Sequence, residues 1–358
     1  LKYMDIHDLE VKKMDLVKTS ALWNRRYGDK KDNLFVKRNS LTIDLSMIVS
    51  DTPKILLDDH FEILDKLGIG SAGVVYRAVN RKSGQEVALK TLKCGDPELT
   101  NAARNEYELL TRIGSHPNII KALDFLNFEG EGTLVLEYFD GSVTLQAFVQ
   151  EQIIQESSVR QPCLALFKAV AHVHGCNILH RDIKPQNILV SHNLSELRLI
   201  DFNVAASLDD GPALTPTGTE LYKAPEVLIG EPACQRSDVW ASALCVFFML
   251  SGKLPQGRES MDPFSTIKSS DALRPVSFSG NIWQDVSEEC KALLSNCLAI
   301  DVACRPSMIE VLENDNSWLH SDDPLMLSLS LMSRFVPGSE ALLSVFSHTR
   351  RMGLDAMR

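Results

Sequence analysis

The stretch LHRDIKPQNILV (179–190) carries the densest chemistry in the chain. It sets Asp182, Lys184 and Asn187 on a loop punctuated by Pro185, just before an apolar strand-like run. A carboxylate, a cation and a neutral amide at this spacing suit an acid–base residue beside a phosphate-facing cation and a metal-binding amide. Asp201 ends the apolar run LRLID, and a short hairpin between the two stretches would bring both loops to one place.

A second group lies upstream. LGIGSAGVVY (67–76) holds Gly68, Gly70 and Gly73 in G-x-G-x-x-G spacing. Dinucleotide folds share that spacing, so it is weak by itself. Here GVVYRAV continues as a strand and not a helix. Glycines in such a hairpin can lie over phosphates and offer backbone N–H groups, and a purely structural turn would need them as well. VALK then places Lys90 on a third strand among Val87, Ala88 and Leu89. A lysine buried there requires a partner, and a phosphate or Glu106 would supply one.

The elements that must position these groups follow from periodicity. Residues 60–92 alternate as three successive antiparallel strands. PELTNAARNEYELLTRI (97–113) has helical spacing, with Leu109, Leu110 and Ile113 toward one side. IIKALDFLNF and TLVLEYF read as two more strands. After Gly141 the pattern turns mostly helical, with helices expected at 161–176, 224–230, 237–252, 287–299 and 306–313. NILV and LRLI form a small hairpin among them, and 252–280 is Pro- and Gly-rich loop.

Bulk properties narrow the class. The 358 residues are 44% hydrophobic, enough for two lobes, and the net charge is −10. That balance disfavours general nucleic-acid or anionic-membrane binding. The longest apolar run, VWASALCVFFML (239–250), is too short to span a bilayer. Eight cysteines show no C-x-x-C pair, and free thiols suit a reducing, cytoplasmic compartment, with a nuclear place compatible. The recurrence of Cys290, Cys297 and Cys304 fits a helix face better than a metal site.

Taken in order, these motifs resemble the eukaryotic protein kinase family, Ser/Thr type. The resemblance covers about 60–320 and adds APE at 224–226, SDVW with Asp238 and CRPS with Arg305. It implies an α+β bilobal fold: a small antiparallel β-sheet lobe with one helix (59–136), a hinge (137–140) and a larger, mainly helical lobe (141–320). Residues 1–58 would be a partly disordered extension or linker, and 321–358 a tail. The cofactors implied are ATP and Mg2+, and the partner a protein with a Ser or Thr acceptor.

The resemblance also assigns roles. Asp182 would take the acceptor proton, Lys184 would stabilise the transferring phosphoryl group, and Asn187 and Asp201 would hold magnesium. Lys90, fixed by Glu106, would hold the α- and β-phosphates. Leu67, Gly68, Ile69, Gly70, Ser71, Ala72 and Gly73 would roof the nucleotide. The adenine would lie between Val75 and Ala88 above and Leu189 below, with Leu136 limiting the back pocket. Glu137 to Phe139 would form the hinge that bonds its edge, and Val143 or Thr144 would meet the ribose. His180 is expected to pack under Phe202 as a structural residue. Glu226 and Arg305 would anchor the activation segment, and Asp238 would bond the catalytic loop.

Regulation is implied too. Arg181 would pair with a phosphate placed on Thr215, or next on Thr217, by an upstream kinase, and Thr219 would bond Asp182 and Lys184. SWLHSDD (317–323) resembles the end of calcium/calmodulin-dependent kinase domains, which raises a calmodulin-type partner for the tail; a helix docked on the large lobe or a frayed end is the stronger reading. DFN departs from the usual DFG. Asn tolerates positive φ better than most residues, so Asn203 is expected to alter loop mobility without abolishing transfer. A catalytically idle nucleotide-binding scaffold is the competing reading.

Overall fold

The computed structural model describes residues 59–69, 73–92, 97–128, 131–151, 154–213, 217–256, 258, 274–314 and 317–320. The expectations for 1–58, for the tail 321–358, and for Gly70, Ser71, Ala72 and Thr215 lie outside them.

Five strands open the domain: β1 (Phe61–Ile69), β2 (Gly73–Asn80), β3 (Glu86–Leu92), β4 (Ala122–Phe128) and β5 (Glu131–Glu137). They form one antiparallel sheet in the order β1-β2-β3-β5-β4, with helix α1 (Pro97–Ile113) between β3 and β4 in the chain. Register decides the two faces. Lys90 pairs with Val75 and with Leu134, while Ala88 pairs with Leu136. Period-two alternation therefore sets Val75, Ala88, Lys90, Leu134 and Leu136 on one face. The opposite face packs a separate small cluster of Phe61, Ala78, Val87, Leu89 and Val135. At Gly73 a Cβ would stand 1.9 Å from the carbonyl oxygen of Thr91, so only glycine lets β2 start against β3.

The described residues after β5 are mostly helical or loop. After β6 (Ser142–Thr144) come α2 (Leu145–Glu151) and α3 (Glu156–Gly175). Four short strands follow: β7 (Ile178–Leu179), β8 (Ile188–Ser191), β9 (Leu197–Leu199) and β10 (Ala206–Ser207). They are followed by α4 (Pro225–Leu228), α5 (Gln235–Ser251), α6 (Glu288–Cys297), α7 (Met308–Glu313) and α8 (Ser317–His320). Every residue of α5 from Ser237 to Leu250 is buried, which marks a helix at the centre of its lobe. Gly252 ends it in the left-handed conformation at φ 68. None of the helices among the described residues is long and apolar enough to cross a membrane.

This is the bilobal α+β architecture expected. Several elements differ from expectation, α3, α2 and β6 among them. Helix α3 begins five residues before the expected position, because it runs through Pro162. Its first residue, Glu156, is held there: its carboxylate accepts from the Ser287 backbone N–H and hydroxyl and from Trp318 Nε1. Helix α2 and strand β6 were not anticipated, and each is short.

Candidate active site

The site gathers at the junction of the sheet with the β7–β8 and β9–β10 loops. Lys90 Nζ lies 2.7 Å from Glu106 Oε2 on α1 and 2.7 Å from Asp201 Oδ1. The other oxygen of Glu106 accepts from the Phe202 backbone N–H at 3.1 Å. One buried ammonium thus serves two carboxylates. Burial works to discharge Lys90, but Glu106 and Asp201 outweigh it and raise its pKa. Burial likewise works against the Asp201 anion, and the Lys90 charge overcomes it, holding Asp201 below the ordinary aspartate range.

Across the cleft, Asp182 is held by three residues. Its Oδ1 accepts from the Thr219 N–H and hydroxyl, both at 2.9 Å. Its Oδ2 lies 2.7 Å from Lys184 Nζ and 3.0 Å from Asn187 Nδ2. Asn187 Nδ2 also donates to the Asp182 carbonyl at 2.9 Å. Lys184 Nζ donates to Thr219 Oγ1 at 2.7 Å. Close approach makes this possible: Gly218 sits at φ 84, and a Cβ there would fall 2.4 Å from the Arg181 carbonyl oxygen.

A second layer fixes the loop. Asp238, buried on α5, accepts from the backbone N–H groups of His180 (2.9 Å) and Arg181 (3.0 Å) and from His174 Nε2 (3.0 Å). Burial disfavours its charge, but these donors more than compensate and keep its pKa low. His180 Nε2 donates to the Ile200 carbonyl, and its Nδ1 accepts from the Asp182 N–H. Burial keeps that ring neutral, and it packs edge-on at 4.6 Å against Phe202. Arg181 Nε donates to the Val204 carbonyl at 2.6 Å. Glu226 and Arg305 form a two-pronged pair at 2.8 and 3.0 Å, with Ser237 adding a bond to Glu226.

The structure corrects the reading of Asn203. The left-handed residues near the site are Arg181 (φ 65) and Asp201 (φ 66); Asn203 is not among them. The sterically demanding position in this loop is therefore the aspartate itself, and Asn203 occupies backbone that any residue could adopt. Its Oδ1 is buried without a hydrogen-bond partner among the described residues.

Of the residues expected to face the nucleotide, Ala88 and Leu136 are buried, Val75 and Leu189 half-buried, and Leu67 and Ile69 exposed at the sheet's edge. The Glu137 carboxylate turns away from the cleft, toward the Lys121 N–H and Arg198. The Phe139 carbonyl accepts from Ser142 Oγ, and its ring lies 4.8 Å from the Arg198 guanidinium carbon. Val143 and Thr144 lie on β6, paired with β8. Thr217 lines a recess beside Asp182, and its hydroxyl is buried and unpartnered among the described residues. His174, Ser237 and Ser142 support the site without having been singled out. Ser237 was discoverable as the neighbour of Asp238, whereas His174 and Ser142 depend on tertiary contacts alone.

The donor set fits ATP with Mg2+. Two carboxylates share a single lysine, leaving a local negative excess at Asp201 that a hard cation would balance. Asn187 directs its NH2 group at Asp182 through two bonds, so its carbonyl oxygen is the end left for a metal. No cluster of three or more His, Cys, Asp or Glu that could hold a metal exists among the described residues.

This fold and site define a protein kinase domain, and the chain belongs to that family: residues 61–318 match the protein kinase domain family. Members use ATP and Mg2+. The chain is 30% identical over 272 residues to the serine/threonine-protein kinase DCLK1 of Rattus norvegicus, covering 74% of this chain and 61% of that protein. It is 30% identical to ribosomal protein S6 kinase alpha-1 of the same species, covering 76% of this chain and 37% of the relative. It is also 31% identical to calcium-dependent protein kinase 5 of Plasmodium berghei (strain Anka), over 74% and 48% respectively. The chain thus spans roughly a third to three-fifths of the relatives it matches. The domain is of the Ser/Thr kinase type.

Proposed function

We propose that this domain is an active kinase that transfers the terminal phosphoryl group of ATP to Ser or Thr hydroxyls of protein substrates. The observation that supports it best is the joint hold of Thr219 and Lys184 on Asp182, with Lys90 simultaneously paired to Glu106 and Asp201. In this reading Asp182 Oδ2 receives the acceptor hydroxyl and takes its proton. Lys184 stabilises charge on the group in transfer, and Lys90 orients the α- and β-phosphates. Asn187 and Asp201 would hold magnesium, which supplies charge neutralisation at the phosphates. Positioning and electrostatics suffice for this chemistry, and no covalent enzyme intermediate is needed.

Control by an upstream kinase acting on Thr215 belongs to the same proposal. Burial lowers the pKa of Arg181, so a nearby phosphate dianion would be a favourable partner for its cation.

The test is phosphate transfer to a generic Ser/Thr peptide with MgATP. Asp182→Ala should lose transfer by about a thousandfold or more while still binding nucleotide. Wild-type protein that binds MgATP yet transfers no more than Asp182→Ala would establish the idle-scaffold reading instead.

A further inference from the structure

Residues 218–226 run from the catalytic loop to α4, and both ends are tied down. Thr219 bonds Asp182 at one end, and Glu226 bonds Ser237 and Arg305 at the other. The middle carries a third tie. Arg258, just 3% exposed, reaches in from the chain after α5. Its Nη1 donates to the Leu221 carbonyl at 3.0 Å and the Lys223 carbonyl at 2.7 Å.

Arg258 is costly to bury, because it makes no ion pair among the described residues and its Nη2 finds no acceptor there. Glu226, whose negative charge acts on Arg258, is engaged in two bonds by Arg305. Both guanidiniums lie against the Trp240 ring, at 5.0 and 5.1 Å from its centroid. Burial, and then the like charge of Arg305, press the Arg258 pKa down to about 10, leaving it charged at neutral pH. Arg305 cannot take over the carbonyls, since its three nitrogens already serve Glu226 and the carbonyls of Ala299 and Arg236. A lone buried cation facing two carbonyls therefore does one evident thing: it sets the path of residues 221–223.

That path matters because Thr219, Tyr222 and Lys223 line the open recess beside Asp182. A polypeptide presenting its hydroxyl to Asp182 must lay its flanking residues along them. We propose that Arg258 is a positioning residue for the protein substrate, holding the 221–223 backbone so that the acceptor peptide meets Asp182 in register. This rests on the transfer reading above. Among the described residues, the bonds and ring contact of Arg258 go to Leu221, Lys223 and Trp240 and not to Lys90 or the five-stranded sheet, so the effect should fall on peptide and not on ATP.

The experiment compares steady-state kinetics of wild type, Arg258→Met, Arg258→Lys and Arg258→Gln on one peptide. Methionine keeps the apolar stem and removes every donor; lysine restores a charged donor. Arg258→Met should raise the peptide KM about tenfold with an ATP KM within about twofold of wild type, and Arg258→Lys should recover the peptide KM to within about threefold. A general weakening of the fold would not be rescued by lysine alone and would not separate the two substrates. Should Arg258→Met fail to fold, Arg258→Gln decides, because it keeps one uncharged donor and should still raise the peptide KM. Wild-type peptide KM in the folded Met or Gln variant, or equal rises for peptide and ATP, would overturn the inference while leaving the transfer reading intact. A wild-type protein that binds MgATP and phosphorylates no peptide would refute the transfer reading, and this one with it.

Discussion

Asn203 shows how far a single letter can be read. From the sequence, an asparagine in place of the usual glycine suggests a restricted pivot. The backbone shows the demand two residues earlier, at Asp201 (φ 66). Sequence could not reveal this, because the conformation is imposed by Lys90 and by the Phe202 N–H on Glu106, both set by tertiary contact. Two magnitudes then oppose each other in Asn203→Gly. Glycine loses about 0.5–1 kcal/mol through backbone freedom, while removing an unpartnered buried oxygen relieves about 1–3 kcal/mol. The substitution should leave stability unchanged or slightly higher in chemical denaturation, and transfer rates within about tenfold, or 1.4 kcal/mol of barrier. Asp201→Ala should abolish magnesium-dependent transfer in a parallel titration. An Asn203→Gly protein that gained activity from a silent wild type would reverse the interpretation.

At the scale of elements, strand and helix patterns that bury one face were legible. Helix α1 spans the residues its periodicity marks, and β1 to β5 follow their alternation. What was illegible lies where a local signal is overruled. Pro162 reads as a helix start, yet Glu156 draws the first turn forward by bonding Ser287 and Trp318, distant in the chain. His116, between α1 and β4, stacks at 4.8 Å on His172 of α3, and nothing in the spacing of the two residues foretells it. Burial first, then the charges of His172, Lys168 and Arg198, push His116 down to about 4. Its unfolded value is the ordinary 6.5. The unfolded chain therefore binds a proton that the folded one refuses, so stability is full above that value and falls as pH drops toward 4. His116→Gln should shrink this loss, read as a smaller difference between urea midpoints at pH 7 and pH 4.5. An unchanged difference would assign the acid sensitivity elsewhere, with buried His180 the next candidate of the same sign.

For the whole molecule, the sheet and the helical part meet at the site through Lys90 to Asp201 and Glu106 to the Phe202 backbone, and beside it through Arg112 to Ser207, Glu137 to Arg198 and the Ile119–Leu199 bridge. A ligand that adds bonds at this junction should stabilise the domain by linkage. MgATP at a hundredfold excess over its Kd should contribute about 2.7 kcal/mol, visible as a rise in Tm of several degrees. Lys90→Met should lose most of that rise, because it removes the phosphate contact along with the tie to Asp201. Retention of the full shift would mean that nucleotide affinity resides in the apolar walls formed by Val75, Ala88 and Leu189. The motifs identified the members of this junction and the pairing of Lys90 with Glu106, but that Asp201 shares the same cation became visible only once the chain was folded.

The amide of Asn187 donates from a single nitrogen to both the backbone and the side chain of Asp182. That geometry makes aspartate a poor substitute, despite its nearly identical shape. Asn187→Asp would set two carboxylates at hydrogen-bonding distance, where both cannot stay ionised, and the pair would retain one proton between them. Asp182 would then spend part of its time as a neutral acid, which can accept a hydrogen bond from an incoming hydroxyl but is too weak a base to take its proton. The neutrality of residue 187 is thus what keeps its neighbour basic.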